Sequence, residues 1–434
     1  MFVQSIAKQT LSLETRLKII GGRPLEGKTT IDGSKNSVLP LLAATTLIGE
    51  GWATLKNVPA ITDTDVMIEI LHELGMESKR QGSTVKVCGE LKNGKVSKYL
   101  ASKIRASLLF LGPLIALLGE AEIPIPGGDM IGDRPVDLHV DALAALGVET
   151  TIQGGYIYAK ATRFPLIGGR VYLAFPSVGA TQNVLMAAAL AEGVTVIENA
   201  AREPEVIDLV HMLNKMGANI KGAGTSTLHV KGTDKKLRGV EHEVIPDRLE
   251  AGTILAAMVM TGGEGIIKGV VPAHNRSLLS LLNQIGVRLH IRKDGIVEVL
   301  RSTLTHPIRV TAMPYPGLPT DLQPIITSLA TKAPGESIIS DIVFKERFAH
   351  VYELRKMGAN ISQSSNIVRV HGGTPLTGSN VYGNDIRSIT SLVCAGLAAK
   401  DATYVHGIEH LHRGHGNLIQ KLTDLNAVIE YQNY

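Results

Sequence analysis

Six polar residue groups stand just before, or in the first turn of, helical stretches built almost wholly from small apolar residues: Lys35, Arg105, Ser177 with Gly179, Asp247 with Arg248, Asp321, and Arg387. A helix start carries unpaired N–H groups and the positive end of the dipole, so it attracts phosphate and carboxylate. Any one of these residues could simply cap a helix. The set argues for more, because a helix apolar on all sides is buried and can present only its end to a ligand. Packed in parallel, the six entrances would converge into a cleft suited to small anions. A second candidate is the segment PGGDMIGDRP at 126–135, whose three glycines and two prolines suit a loop able to swing the carboxylate of Asp129 into such a cleft and bring Arg134 after it.

The elements that position these residues come from an internal repeat. An amphipathic helical rhythm, a glycine stop and a short alternating β-run recur six times, with the stop at Gly75, Gly147, Gly217, Gly286, Gly358 and, in the sixth copy, Asn426. The left-handed backbone that ends a helix is cheap only for Gly and next for Asn, so the single substitution supports the pattern. Each copy also contains a strand followed by one of the small-residue helices. Units of roughly 70 residues repeated six times divide into two halves of three, an α/β architecture of α+β repeats.

Composition narrows the function classes. Of 434 residues, 44% are hydrophobic and 19% charged, ample for a large aliphatic core, and the net charge of +4 comes without a Lys/Arg run of the kind that binds nucleic acid. The longest apolar run, from Ser107, is broken by Gly112 and Pro113 and falls short of the ~20 residues that span a membrane, so it is expected as a buried helix. The N-terminal segment lacks an apolar export signal, and a cytoplasmic protein is expected. Cys88 and Cys394, without metal or redox spacing, are expected as small buried hydrophobes. The spacing of His410, His412 and His415 fits neither a helical zinc pair nor a finger, and no metal is expected.

In these segments the chain closely resembles the UDP-N-acetylglucosamine enolpyruvyl transferases, which catalyse the first committed step of bacterial peptidoglycan synthesis. The resemblance runs from about Leu17 to the C-terminus. It is carried by GSKN at 33, IRAS at 104, GGDMIGDRPVDLH at 127, FPSVGATQN at 175, NAAREPE at 199, PDRLEAGT at 246, PYPGLPTDLQ at 314, RF at 347, DIR at 385 and HRG at 412. The related shikimate-pathway transferase has Ser after the lysine and a Gly-Asn-Ala-Gly-Thr segment, both missing here. The resemblance implies a two-domain inside-out α/β barrel of six βαβαββ units, one domain spanning 35–244 and the other combining 1–34 with 245–434.

It also implies roles. Phosphoenolpyruvate would meet Lys35, Arg105, Arg134 and Arg413 at its phosphate and Arg347 and Arg387 at its carboxylate. UDP-N-acetylglucosamine would lie with uridine against Arg134, Pro135, Asp137 and Leu138, its diphosphate on Ser177, Val178 and Gly179, and its sugar near Asn36, Thr320 and Asp321; Arg105, Val136 and Val343 match further contacts to it. Asp129 occupies the general-acid position and Asp321 that of the base, with Lys35 and Arg413 assisting; no cofactor is implied. The chain departs from the family at Asp129, where most members have Cys, and at Asp133, Lys345, Glu346, His412 and His415. A carboxylate is a weaker nucleophile than a thiolate, so resistance to epoxide antibiotics such as fosfomycin is expected. Two other readings are a paralogue acting on another nucleotide and a catalytically silent nucleotide-binding repeat protein.

Overall fold

The computed structural model describes residues 15–127 and 136–433. The third repeat displays the unit in full: strand Arg170–Tyr172, helix Val178–Ala188, strand Val194–Glu198, helix Pro204–Met216, then the hairpin Asn219–Lys221 and Thr227–Lys231. In its sheet the first two strands pair in parallel, and the last strand inserts antiparallel between the second and third. The fifth repeat has the same order.

The second repeat forms a three-stranded sheet of its own, and the first, fourth and sixth borrow strands from distant sequence. The N-terminal strand Thr15–Ile20 fills the position beside Ala402–His406 and Val428–Asn433 in the sixth sheet. Glu26–Thr30 supplies the parallel edge strand to Glu264–Lys268 of the fourth unit, and Glu241–Glu243 does the same for Ala53–Lys56 of the first. Hence the chain crosses between the halves twice. The two crossings run side by side, with the Ser34 N–H donating to the Ile245 carbonyl and the Asp247 N–H to that of Asp32.

Two hydrophobic cores result. One gathers residues from Val38 to Val244; the other combines Leu17 to Ile31 with Leu249 to Ala427. In each, the small-residue helices are central: every residue of Arg248–Met260 is buried. Alanine and glycine let these helices approach one another closely, which a leucine-rich helix could not do. Gly75, Gly147, Gly217, Gly286 and Gly358 all have positive φ between 79° and 113°, and Asn426 follows at 70°. The run from Ser107 is buried as far as Ala116, with Leu118 exposed; it starts within a 3-10 helix, Arg105–Phe110, and becomes α-helical at Leu111–Leu118. Cys394 is buried, its thiol pushed up to about 12 by that burial, whereas Cys88 is only half-buried at the end of its strand. Among the described residues no helix is long and apolar enough to cross a membrane.

Candidate active site

All six helix entrances open onto one cavity of about 510 Å³ lined by residues of both cores. Lys35 and Asn36 come from the start of Lys35–Ala44, Arg105 from the 3-10 turn, and Ser177, Val178 and Gly179 from the start of Val178–Ala188. Across from these stand Arg248, Thr320 with Asp321, and Arg387, each at the head of its helix. Asp137, Leu138, Val343, Arg347 and Arg413 complete the sequence-expected residues on its wall. Val136 is buried and does not line it. Asp129, Asp133, Arg134 and Pro135 lie outside the described residues.

The caps explain the local geometry. Ser177 turns its hydroxyl back to accept from the Ala180 N–H, which leaves the N–H groups of the following residues facing outward. Asp385 forms a capping box with Ser388, so Arg387 in the second position projects from a fixed helix end. Asp247 accepts from the Leu249 and Glu250 N–H groups and fixes Arg248 in the same way.

Two carboxylates organise the cations. The Asp321 carboxylate accepts from Arg347 at 2.6 Å on one oxygen and from Arg387 Nε at 3.0 Å on the other. Burial alone would raise this carboxyl, but the guanidiniums of Arg387 and Arg347 outweigh it and hold it well below the usual carboxylate range. Arg387 also donates to His415 Nε2 at 2.7 Å. A guanidinium can only donate, so this nitrogen is the acceptor and the imidazole is neutral. Burial and then the nearby Arg387, Lys35 and Lys421 charges push its pKa well down, in agreement.

The second carboxylate is Asp63, at the first turn of Thr62–Glu73 and nearly inaccessible. It receives Lys35 Nζ at 2.7 Å and Arg413 Nε at 3.1 Å. Sequence reasoning missed it because an aspartate in a first helical turn ordinarily reads as a dipole partner. Also missed was a polar link between the cores. Arg248 makes a bidentate pair with Glu205, at 2.9 and 3.3 Å, while the neighbouring Glu203 accepts the Tyr315 N–H at 3.3 Å. Burial raises the Glu203 carboxyl above its ordinary value despite Arg248 nearby.

Comparison with known proteins agrees with this architecture. The family model described as EPSP synthase (3-phosphoshikimate 1-carboxyvinyltransferase) matches residues 19–422. The chain therefore belongs to the enolpyruvyl (carboxyvinyl) transferase family, on the branch whose members are named for UDP-N-acetylglucosamine. It is 43% identical over 418 residues to UDP-N-acetylglucosamine 1-carboxyvinyltransferase 1 of Caldanaerobacter subterraneus subsp. tengcongensis, covering 96% of this chain and 99% of that one. To its namesake from Carboxydothermus hydrogenoformans it is 44% identical, over 96% of this chain and 98% of the relative. Among solved structures, the enolpyruvyl transferase NikO of Streptomyces tendae superposes with a TM-score of 0.87 at 27% identity, covering 97% of this chain and 99% of NikO. The EPSP synthase of Acinetobacter baumannii, at 17% identity and a TM-score of 0.74 over 96% of this chain and 100% of its own, shares the fold.

Proposed function

We propose that the chain transfers the enolpyruvyl group of phosphoenolpyruvate to the 3-hydroxyl of UDP-N-acetylglucosamine, releasing phosphate, as the committed step of peptidoglycan synthesis in the bacterial cytoplasm and hence in cell-wall growth and division. The observation that carries this is the pair of cation knots in one cavity: Lys35 with Arg413 on one side, Arg347 with Arg387 on the other. A three-carbon donor with a phosphate at one end and a carboxylate at the other needs two separated cationic sites, and forked guanidiniums suit both. Residues 35–244 and 1–34 with 245–434 are assigned as the two domains, a reading supported by the two separate cores.

In the proposed reaction Asp129 delivers a proton to the methylene carbon as the sugar oxygen attacks the adjacent carbon and its hydroxyl proton passes to Asp321. The tetrahedral ketal then loses that methyl proton and phosphate, leaving the enolpyruvyl ether. Asp321 is a poor base while both its oxygens are tied to arginines. Arrival of the donor's carboxylate at Arg347 and Arg387 would share those hydrogen bonds, and the released carboxylate oxygen gains basicity when it is needed.

The identity to the two named transferases, higher than that to NikO, favours UDP-N-acetylglucosamine over another nucleotide as acceptor. Phosphate release measured with UDP-N-acetylglucosamine, other UDP-sugars and UMP tests the choice; turnover on UMP alone would overturn it. Asp129→Asn is expected to abolish turnover while nucleotide binding stays within a few fold, and a fully active variant would remove Asp129 from the reaction.

A further inference from the structure

Two glutamates at the seam between the halves share one guanidinium unequally. Glu205 takes Arg248 on both its oxygens, at 2.9 and 3.3 Å. Glu203, at the cap position of the Pro204–Met216 helix, accepts the Tyr315 N–H on Oε1 at 3.3 Å, and its Oε2 is buried without a partner among the described residues. The groups around it do not make up the deficit. Arg248 is also drawn to Asp321, and His274, which faces Glu205 and Arg248 from the turn Pro272–Asn275, is kept uncharged by its burial. An ionised carboxylate buried with one oxygen unsatisfied and a second carboxylate beside it costs more than one that keeps its proton. Glu203 is therefore the member of the pair that holds a proton, and since Oε1 accepts from Tyr315 the proton is on Oε2. In agreement, burial raises its pKa above the ordinary value, outweighing Arg248 and the N–H groups of Glu203 itself and Tyr315, and Glu205 adds to the rise.

What Glu203 holds leads directly to the site. Tyr315 lies in a tight loop closed by the Met313 N–H on the Leu318 carbonyl and the Gly317 N–H on that of Pro314, both at 3.0 Å. The loop continues through Pro319 into the 3-10 turn Thr320–Leu322, whose first two residues line the cavity. The Tyr315 hydroxyl donates to the Ala273 carbonyl at 3.1 Å within the second half, while its N–H crosses to Glu203 in the first. The loop is thereby held from both sides, and the first half helps to decide where Asp321 stands.

We propose that Glu203 is a positioning residue for the enolpyruvyl transfer, a protonated carboxylic acid that grips the Tyr315 backbone across the seam and so sets the loop that presents Thr320 and Asp321 to the substrates. The inference rests on the proposed reaction and adds to it a residue that acts through the chain rather than at the reacting atoms. Ionisation of Glu203 sets a second negative charge beside Glu205 with an oxygen unsatisfied, and the grip weakens. Because the folded-state pKa is raised, the contribution of Glu203 is complete below the unfolded value of about 4.5 and is lost as pH rises through the folded one.

The test is steady-state kinetics of the full-length protein from pH 5 to pH 9, with Glu203→Ala and Glu203→Gln. The alanine variant leaves the Tyr315 N–H unpaired and should lower kcat by about tenfold or more, with KM for phosphoenolpyruvate changing less. Glutamine keeps a neutral acceptor for that N–H, so it should recover most of the loss at pH 5, and the ratio of its kcat to that of the unaltered protein should rise with pH. The infrared difference spectrum of the unaltered protein against Glu203→Gln should show the carbonyl band of a protonated acid at pH 7, giving way to carboxylate bands over the range in which the ratio rises. A glutamine variant as poor as the alanine one, an alanine variant as active as the unaltered protein, a ratio flat with pH, or carboxylate bands already at pH 7 would each overturn the inference. Should Glu203→Ala misfold, the glutamine variant and the spectrum decide. Absence of turnover in the unaltered protein would sink the transfer reading, and the role given to Glu203 with it, while the spectrum would still report the proton.

Discussion

The two carboxylate knots differ in what holds them. Asp321, Arg347, Arg387 and His415 all come from segments of the second core, so this arrangement is set within one packed body. Lys35 and Asp63 come from segments of the first core, but Arg413 reaches Asp63 from the second. One cation pair is therefore pre-organised before any ligand arrives, while the other depends on how the two halves sit. A donor molecule with two anionic ends would dock on the internal pair and reinforce the other, which already joins the halves through Asp63 and Arg413. Binding energy would then hold the halves together around the site, which excludes water from a reactive intermediate.

The largest effect is expected from Asp321→Asn. It leaves two buried guanidiniums sharing a neutral amide, and breaking a buried pair costs on the order of 3–5 kcal/mol. We expect kcat/KM for phosphoenolpyruvate to fall by 10²-fold or more, and the melting temperature to drop by roughly 5–10 °C, since this knot is internal to one core. An unchanged melting temperature would show that the knot is not structurally integral. Asp63→Asn comes next. Its expected effect is an increase of about tenfold in KM for phosphoenolpyruvate, with a smaller loss of melting temperature and a larger radius of gyration in solution scattering when both substrates are present. Thermal losses of equal size in the two variants would erase the distinction between the knots.

The sequence displays one kind of knot member and hides the other. Lys35, Arg105 and Arg387 are visible because each sits at the head of a helix whose small residues mark it as buried, and Gly75 through Asn426 mark the repeat because backbone conformation at a helix end is a local matter. Asp63 and Glu205 acquire meaning only through partners 28 to 350 residues away, such as Asp63 with Lys35 and Arg413. The same holds for Thr15–Ile20, which reads locally as an ordinary strand yet completes the last sheet of the chain. Local chemistry was legible, and long-range pairing was not, because nothing in an aspartate's immediate neighbours says which cation it will meet.

His415 gives a milder probe of the pre-organised pair. His415→Phe removes the acceptor for Arg387 and is expected to raise KM for phosphoenolpyruvate several-fold, with binding of the sugar nucleotide nearly unchanged. His415→Gln should restore most of it through the amide oxygen. The folded-state pKa of His415 is lowered, so its contribution to stability is present above the unfolded value of about 6.5 and is lost as pH falls. The thermal advantage of the unaltered protein over His415→Phe should therefore be greater at pH 8 than at pH 5.

A third carboxylate, which pairs with none of the knots' arginines, isolates what the second arginine does for Asp321. Glu250 accepts from Lys421 at 2.7 Å and from the Asp32 N–H at 2.8 Å, and the same lysine is shared with the Asp32 carboxylate at 3.0 Å. With one cation, and that one divided, burial prevails: the carboxyl is pushed up to about 7. A raised folded-state pKa means the group's stabilising contribution is complete below the unfolded value of about 4.5 and is lost as pH rises through about 7. Asp321 has the opposite sign, and its contribution is complete above about 3.8, hence flat from pH 5 to 8. Melting curves across that range should show the unaltered protein losing ground to Glu250→Gln as pH rises, while its margin over Asp321→Asn stays constant. A flat margin for both would mean that Lys421 alone neutralises Glu250, and that doubling the cation count is not what separates the two carboxylates.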